Sequence, residues 1–542
     1  MTNHMDKHNT IQMLDCTLRD GAYITGGYFG TAAIKGIIEK TQEAGAQLIE
    51  CGWLKDAAHE TGYSYYHVPA DLEQYLGRPK EGVTYLAMID WDRYQVENLP
   101  PCDGKSIHAI RVVFPFGRQK EAIEIGRKIR DKGYLVYFQA ANTLAYDDES
   151  LRLLAADMNA FRPEGLSVVD TFGAMYFNDL ERIAGILDRE LLPDIRIGFH
   201  AHNNQQLAFA LVIRFAELMA ESGRDCIVDA TLCGMGRGAG NATTELVAGY
   251  LNRQQSGGYD LDAIMDAIDI YMQEFQEKYS WGYSTPYFIA GLYQCHVNNI
   301  AYLQSNHRTN ARDMRHIIAS LSTEERRKYD YDLLEQKYLE NQDRKVDDDA
   351  TAQELRKDLS HRKVVLICPG RSSLAQKDVI DAYIQKENAV VIGVNAILPG
   401  YAYDHIFFVN HARYDYARQA HPETFHKTPK IILSNIKTTA EDGEVIVGYH
   451  RAIKRGWEHF DNAAICCLRL MEKLGVKDIA IAGFDGFKHQ YNESYADPSL
   501  PTLNPAGKWD ELNEEIREIY QDFKNTQGRR MEITFLTESY FA

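Results

Sequence analysis

Short apolar runs recur through the first 234 residues: Ile11–Leu18, Gln47–Trp53, Thr84–Asp90, Ile107–Pro115, Tyr134–Ala141, Gly165–Phe172, Ile195–His202 and Cys226–Leu232. Each reads as a β-strand, and each of the first seven is followed by a stretch long enough for a helix, such as Ala32–Ala44, Lys120–Lys132 and Asn204–Ser222. Strands alternating with helices predict parallel βαβ units. Eight units over residues 10–258 fit a closed (β/α)8 TIM barrel better than an open sheet, which usually has fewer strands. In such a barrel functional groups sit at the carboxyl ends of strands, where Arg19, Asp20, Glu50, Asp90, Asp170, His200 and His202 fall.

Beyond the barrel the pattern changes twice. Residues 259–320 read as a helical extension whose aromatic stretch, Tyr279 to Tyr287, neighbours the barrel mouth. Residues 321–362 are densely charged with little core-forming periodicity, as in a linker or a solvated helical connector. A second α/β pattern occupies 363–542, with β-type runs from Lys363 and at Ala389–Val394, His405–Val409, Lys430–Ser434, Asp478–Ala482 and Glu532–Leu536. It predicts an open, Rossmann-like sheet.

Composition narrows the partners. A chain of 542 residues exceeds the roughly 250–300 that one core sustains, which agrees with two domains. The net charge of −18 argues against a phosphate-backbone surface, so no nucleic-acid partner is expected. No apolar run approaches the ~18 residues of a membrane span, and the polar opening Met1–Thr10 lacks a secretory pattern; a cytoplasmic protein without membrane insertion is the expectation. Nine scattered cysteines without a Cys-x-x-Cys pair suggest neither a disulfide framework nor a zinc knuckle.

The sharpest chemical signal is split between the two ends of the barrel. His200 and His202, two apart at the end of the seventh strand, project from one face. Barrel closure brings Asp20, after the first strand, across the mouth towards them. Two neutral imidazoles and one carboxylate suit an open divalent site, Mn2+ or Mg2+ first and Co2+, Fe2+ or Zn2+ as alternatives. An isolated His-x-His more often only makes hydrogen bonds in a loop; the linked Arg19-Asp20-Gly21 reverses that weighting. After the eighth strand, Gly234-Met-Gly236-Arg-Gly238-Ala-Gly240-Asn241 is a glycine-rich turn that lets backbone approach a ligand, without the Lys-Ser or Lys-Thr of a P-loop.

Thr17-Leu-Arg19-Asp20-Gly21, His200-Ala-His202-Asn203 and Asp229 through Asn241 together resemble the DRE-TIM metallolyase superfamily over residues 10–300, and most closely its 4-hydroxy-2-oxovalerate aldolase branch. The resemblance implies Asp20, His200 and His202 as metal ligands, with Asn241 as a direct or indirect oxygen donor. It implies Arg19 at the substrate oxo group, Glu50 orienting Arg19 or a ligand, and a 2-oxo acid and an aldehyde as substrates of a carbon–carbon lyase. Where the aldolase branch carries a histidine base just after Arg-Asp-Gly, this chain has Ala22-Tyr23. Tyr23, a metal-bound hydroxide, Tyr283 or Tyr287 are the alternatives for the proton route, and Cys233 reads as a small buried thiol. Two other functions stay open: an acyl-CoA-dependent condensing synthase, and an inert binding or scaffold protein. A homo-oligomer also stays open.

In the second domain, Gly370-Arg371-Ser372-Ser373 follows a buried strand and precedes a helix, so its amides and hydroxyls fit a phosphate. Asn395 and Asp485 fall at later strand ends. The order of these motifs resembles the nucleotide-sugar domains of certain bacterial sialyltransferases, which implies a nucleotide or nucleotide-sugar ligand, a bifunctional chain and a link to surface-glycan metabolism.

Overall fold

The structure, a computed structural model, describes residues 10–77, 79–255, 257–306, 309–342, 346–438, 443–488, 491–502, 504 and 507–542. The polar opening at 1–9 and the charged residues 343–345 lie outside the described residues.

Eight strands form the barrel: β1 (Ile11–Asp15), β2 (Leu48–Leu54), β3 (Thr84–Asp90), β4 (Ala109–Phe114), β5 (Leu135–Ala140), β6 (Gly165–Asp170), β7 (Arg196–Ala201) and β8 (Cys226–Ala230). All neighbours are parallel, and β1 pairs with both β2 and β8, which closes the ring. A two-residue strand, Tyr65–Tyr66, sits beside β2. Helices follow most strands, among them Thr31–Glu43, Gln119–Asp131, Phe177–Glu190 and Ala208–Ser222. The expected helix after β3 is replaced by one 3-10 turn, Val96–Asn98, because Pro100 and Pro101 follow at once and proline cannot continue a helix. The first strand also ends earlier than its apolar run: the Asp15 carboxylate accepts from the Thr17 amide (3.0 Å), and Thr17–Asp20 coils into one helical turn.

Strand parity sorts the barrel wall. Ile110, Val112 and Phe114 face the helices with Val136, Phe138, Val168 and Phe199, forming the large outer core. Inside, Leu14, Cys16, Leu48, Leu86, Ala109, Tyr137 and Ile227 make an apolar plug at one end. Two residues further along those strands come Met88, Arg111, Gln139, Asp229 and Glu50, so the interior changes from oil to charge within one layer. Helix Leu261–Ala267 buries Ala263, Ile264 and Ala267 in the outer core.

The chain divides into two compact units, 1–297 with 326–328, and 298–325 with 329–542. Within the second, residues 331–342 and 349–359 are helices that bury Leu334, Tyr338, Leu355 and Leu359. Its sheet holds seven parallel strands: β9 (Val364–Ile367), β10 (Val390–Val394), β11 (His405–Phe408), β12 (Lys430–Leu433), β13 (Glu444–Val447), β14 (Asp478–Ala482) and β15 (Glu532–Phe535). The spatial order is 13-12-11-10-9-14-15, an open sheet whose direction of winding reverses between β9 and β14. The strand missed in the sequence, β13, is a short edge strand with a mixed pattern. No helix among the described residues is long and apolar enough to cross a membrane.

Gly52 shows how tightly β2 is built. Its φ is +143°, the register with β3 shifts between Glu50 and Trp53, and a Cβ there would stand 2.1 Å from the Ser64 carbonyl oxygen. Gly52→Ala is expected to cost about 1–3 kcal/mol, the usual range for forced overpacking. Urea unfolding of the two proteins checks this, and an unchanged midpoint contradicts it.

Candidate metal centre

The turn after β1 carries Arg19 and Asp20 back over the barrel mouth, and both are buried. It is clamped from three sides. Thr17 Oγ1 accepts from the Leu232 amide (2.9 Å), Trp53 Nε1 donates to the Arg19 carbonyl (3.0 Å), and Gly21 leaves no room for a Cβ beside Met235 Sδ, 2.7 Å away. Asp20 thereby meets the residues of β7. One ligand atom each from Asp20, His200 and His202 lie within 4.8 Å of one another, with His202 Nε2 3.7 Å from Asp20 Oδ2.

Each imidazole is turned by its far nitrogen. His202 Nδ1 lies 3.0 Å from the Asp170 carbonyl, an acceptor, so that nitrogen carries the hydrogen and Nε2 keeps its lone pair towards Asp20. His200 Nδ1 lies 3.1 Å from Asp229 Oδ2, while its buried Nε2 has no partner among the described residues. Burial, with Arg19 nearby, outweighs the pull of Asp229 and lowers the His200 pKa to about 4, so the ring is neutral near pH 7. Burial opposes charge on Asp20, but the Arg19 guanidinium, with His202 beside it, more than offsets it and holds the carboxyl well below the usual range. Asn241 donates through Nδ2 to Asp20 and to the Met235 carbonyl (3.1 Å), and its buried Oδ1 is unpartnered.

A buried network of ion pairs stands behind these groups. Arg19 Nε donates to Glu50 Oε2 (2.6 Å) and Nη1 to Asp20 Oδ1 (2.5 Å). Arg111 spans Glu50 (2.9 Å, twice) and Asp229 (2.7 Å). Two guanidiniums face three carboxylates, so 2 − 3 leaves one negative charge in a dry interior. That surplus, the neutral His200, and the orphaned His200 Nε2 and Asn241 Oδ1 fit a divalent cation. The neighbouring Cys16, His200 and Asp229 also cluster, but burial keeps the Cys16 thiol protonated and Asp229 is committed to Arg111.

The centre opens on a cavity of about 140 Å3 lined in strand pairs two residues apart, Met88 and Asp90, Gln139 and Ala141, Val169 and Thr171, His200 and His202. Arg19 Nη2 and Gln139 Oε1 are buried there without partners among the described residues. Tyr23 stands at the rim, 43% exposed, its ring edge-on to Trp53 and under the Arg237 guanidinium at 3.8 Å. Desolvation of its hydroxyl exceeds the pull of Arg237 and Arg19 and pushes its pKa up to about 12. Arg237 Nη1 lies 3.3 Å from His296 Nε2; burial, then Arg237, lowers the His296 pKa to about 3. Asp170 does not enter the cavity, because its carboxylate accepts from the Ala174 and Met175 amides. Tyr283, 63% exposed, and Tyr287 line no part of the cavity, and Cys233 is half-buried with a thiol raised to about 12. Arg111, Gln139 and His296 escaped the sequence reading. A charge in the apolar run Ala109–Phe114 was a usable signal for Arg111; nothing local marks the other two.

In the second unit, Gly370, Asn395 and Asp485 line a crevice at the carboxyl ends of the strands, whereas Arg371, Ser372 and Ser373 do not. Ser372 gives its amide (2.8 Å) and hydroxyl to the Asp485 carboxylate, and the Ser373 hydroxyl donates to the Gly370 carbonyl (2.6 Å). Asn395 adopts φ +57° and accepts from the Val409 amide (3.2 Å).

Residues 116–270 match the HMGL-like family model. A 4-hydroxy-2-oxovalerate aldolase of Thermomicrobium roseum is 27% identical over 272 residues, 48% of this chain and 71% of that protein. An oxaloacetate decarboxylase of Mycobacterium tuberculosis is 26% identical over 272 residues, 48% of this chain and 76% of that protein. Among solved structures, an HMG-CoA lyase of Bacillus subtilis is 19% identical and covers 50% of this chain and 94% of that one, with a TM-score of 0.41.

Two outcomes follow from the packing. A Cβ on Gly236 would lie 2.1 Å from Asn241 Nδ2 and 2.6 Å from Asp20 Oδ2, so Gly236→Ala is expected to weaken Mn2+ binding about tenfold or more, the scale of disturbed ligand support, with the fold intact. Titration calorimetry with Mn2+ reads this; equal affinity refutes it. Arg111→Met leaves Asp229 without its guanidinium and Glu50 with Arg19 alone, and is expected to cost about 3–5 kcal/mol in urea unfolding.

Proposed function

We propose, from the premise that residues 116–270 form an HMGL-like domain, that the N-terminal unit is a divalent-metal-dependent lyase acting on the carbon–carbon bond of a 4-hydroxy-2-oxo acid through a pyruvate-type enolate. Relatives named 4-hydroxy-2-oxovalerate aldolase and oxaloacetate decarboxylase support the reaction class. The observation that carries the reading is the unpartnered Arg19 Nη2 beside the converged Asp20, His200 and His202.

Asp20, His200 and His202 would hold the cation, with Asn241 Oδ1 a further donor. Bound there, a divalent ion supplies Lewis acidity to the carbonyl of a chelating 2-oxo acid. In the cleavage direction the 4-hydroxyl loses its proton, C4 becomes the aldehyde carbon, and the C3–C4 electron pair moves into the enolate. Arg19, fixed by Glu50 and Asp20, presents Nη2 to the oxygen on which that charge develops, and being preorganised it costs no reorientation. Gln139 Oε1 and Arg237 offer a buried acceptor and a second cation for the polar body of the substrate.

Tyr23 holds its proton to about pH 12, so it serves as a hydrogen-bond donor and proton donor near neutrality and not as the resting base. His296 is neutral there, and the Asp90 carboxyl is raised by burial; these lining groups are the acceptors in reach of the cavity.

Full-length protein with Mn2+ is expected to exchange the methyl protons of pyruvate for solvent deuterium and to release pyruvate from 4-hydroxy-2-oxo acids, with Asp20→Ala and His200→Ala inactive. Proton NMR reads the exchange. Bound Mn2+ without exchange or cleavage defeats the lyase reading in favour of an inert barrel, and thiol release from an acyl-CoA would favour a condensing synthase. A further expectation concerns pH. A phenol whose pKa is raised from 10 to about 12 ionises only above that range, so a Tyr23 base would make log kcat/KM climb steadily from pH 8 to 11. A donor role predicts a level profile there, and a unit slope contradicts it.

A further inference from the structure

The second unit carries a solvent-open crevice where its sheet reverses winding, at the carboxyl ends of β9, β10, β11, β12 and β14. Open parallel sheets bind ligands at this place as a rule, so position alone makes it a candidate. Its chemistry is more specific. Arg413, in the first turn of helix His411–Ala420, lines the crevice at 5% exposure. No described carboxylate forms an ion pair with it, and its Nη1 has no partner among the described residues. Its guanidinium lies over the Tyr495 ring at 4.5 Å. Asp497 acts on it only through its field, since that carboxylate accepts from the Tyr416 hydroxyl (2.7 Å).

A buried, always-charged guanidinium without a counter-ion is costly, and proteins keep such a group where a ligand supplies the anion. We infer that the crevice binds a phosphate monoester of a polar body, such as a nucleotide or a sugar phosphate, with its phosphoryl oxygens on Arg413. The planar fork matches phosphate geometry. The side-chain amides of Asn395, Asn435 and Asn504 and the ring of Tyr495 give the rest of the molecule hydrogen-bonding and stacking faces. The Asn435 Oδ1 is itself buried and unpartnered.

This site differs from the glycine turn that the sequence suggested for a phosphate. There the Asp485 carboxylate already takes the Ser372 amide and hydroxyl, and a Cβ on Gly370 would lie 2.7 Å from its Oδ2. A second anion would find the Ser372 amide and hydroxyl already taken there and would meet a like charge, whereas Arg413 offers a free donor. The inference is independent of the barrel's chemistry, because every residue it uses belongs to the second unit.

Titration calorimetry on the full-length protein tests it with AMP, CMP, GMP, UMP, glucose 6-phosphate and inorganic phosphate as separate probes. At least one ester is expected to bind with a Kd below about 1 mM and more tightly than inorganic phosphate. Arg413→Gln should weaken that ester about tenfold or more, while Arg413→Lys, which keeps the charge, should lose less. Nucleotide binding with no glucose 6-phosphate binding would assign the body as a nucleoside, and the reverse as a sugar. If no ester binds wild type below about 1 mM, or if Arg413→Gln binds as wild type does, the inference falls. Should Arg413→Gln not fold, as circular dichroism would reveal, the lysine variant decides: affinity unchanged from wild type overturns the proposed bidentate contact.

Discussion

The barrel's chemistry depends on one buried line of alternating charges, Asp20, Arg19, Glu50, Arg111 and Asp229, which ends on His200. Such a line is a poor source of net stability, since desolvating the ions cancels much of their attraction, and packed apolar residues of equal volume often serve as well. Its effect is geometric. Each guanidinium touches two acids, Glu50 touches both guanidiniums and Asp229 joins Arg111 to the neutral His200, so Arg19, Asp20 and the His200 ring are fixed by partners that are themselves fixed. The line crosses β2, β4, β7 and β8, so the closed ring of strands and the position of the reactive atoms depend on each other.

The same line sets protonation. Asp20 stays a carboxylate despite complete burial because Arg19 and His202 outweigh desolvation, and Asp229 stays one because Arg111 does the same. Asp229 at Nδ1 and the Asp170 carbonyl at Nδ1 of the other ring turn both histidines so that Nε2 faces the centre. One uncompensated negative charge remains. A 2+ ion changes it to one positive charge, and a 2-oxo acid monoanion then brings the site to neutrality, which is a physical reason for cation and substrate to favour each other's binding.

Much of this was legible in the sequence. Thr84–Asp90 was read to its ends, and the other barrel strands to within a few residues, because short apolar runs bounded by polar turns are a local signal. The differences are local too: Cys16 and Leu18 extend the apolar run but Asp15 caps a turn there, and the helix after β3 is forbidden by Pro100 and Pro101. Arg19, Asp20, His200 and His202 stood out because two adjacent or alternating polar residues closed apolar strands. Gln139 and His296 join the cavity only through strand parity and a return of the chain after the barrel, and a residue-by-residue reading has no access to either. The Ser372 to Asp485 contact, across 113 residues, likewise turns an apparent anion-binding turn into a satisfied one.

A common rule links the two units. Each gathers polar groups at the carboxyl ends of parallel strands, where the pleat aims alternate side chains and the strand ends leave a hollow. What each hollow can hold follows from the sign of the buried charge left over once internal pairs are counted. In the barrel the remainder is negative and lies among imidazole and amide atoms with free lone pairs, which selects a cation. In the open sheet Asp485 is spent on Ser372, and Arg413 has no ion-pair partner among the described residues, which favours an anion there. The polar groups of the Gly370–Ser373 turn are taken up by Asp485 and the turn's own carbonyl, whereas the Arg413 Nη1 has no partner among the described residues.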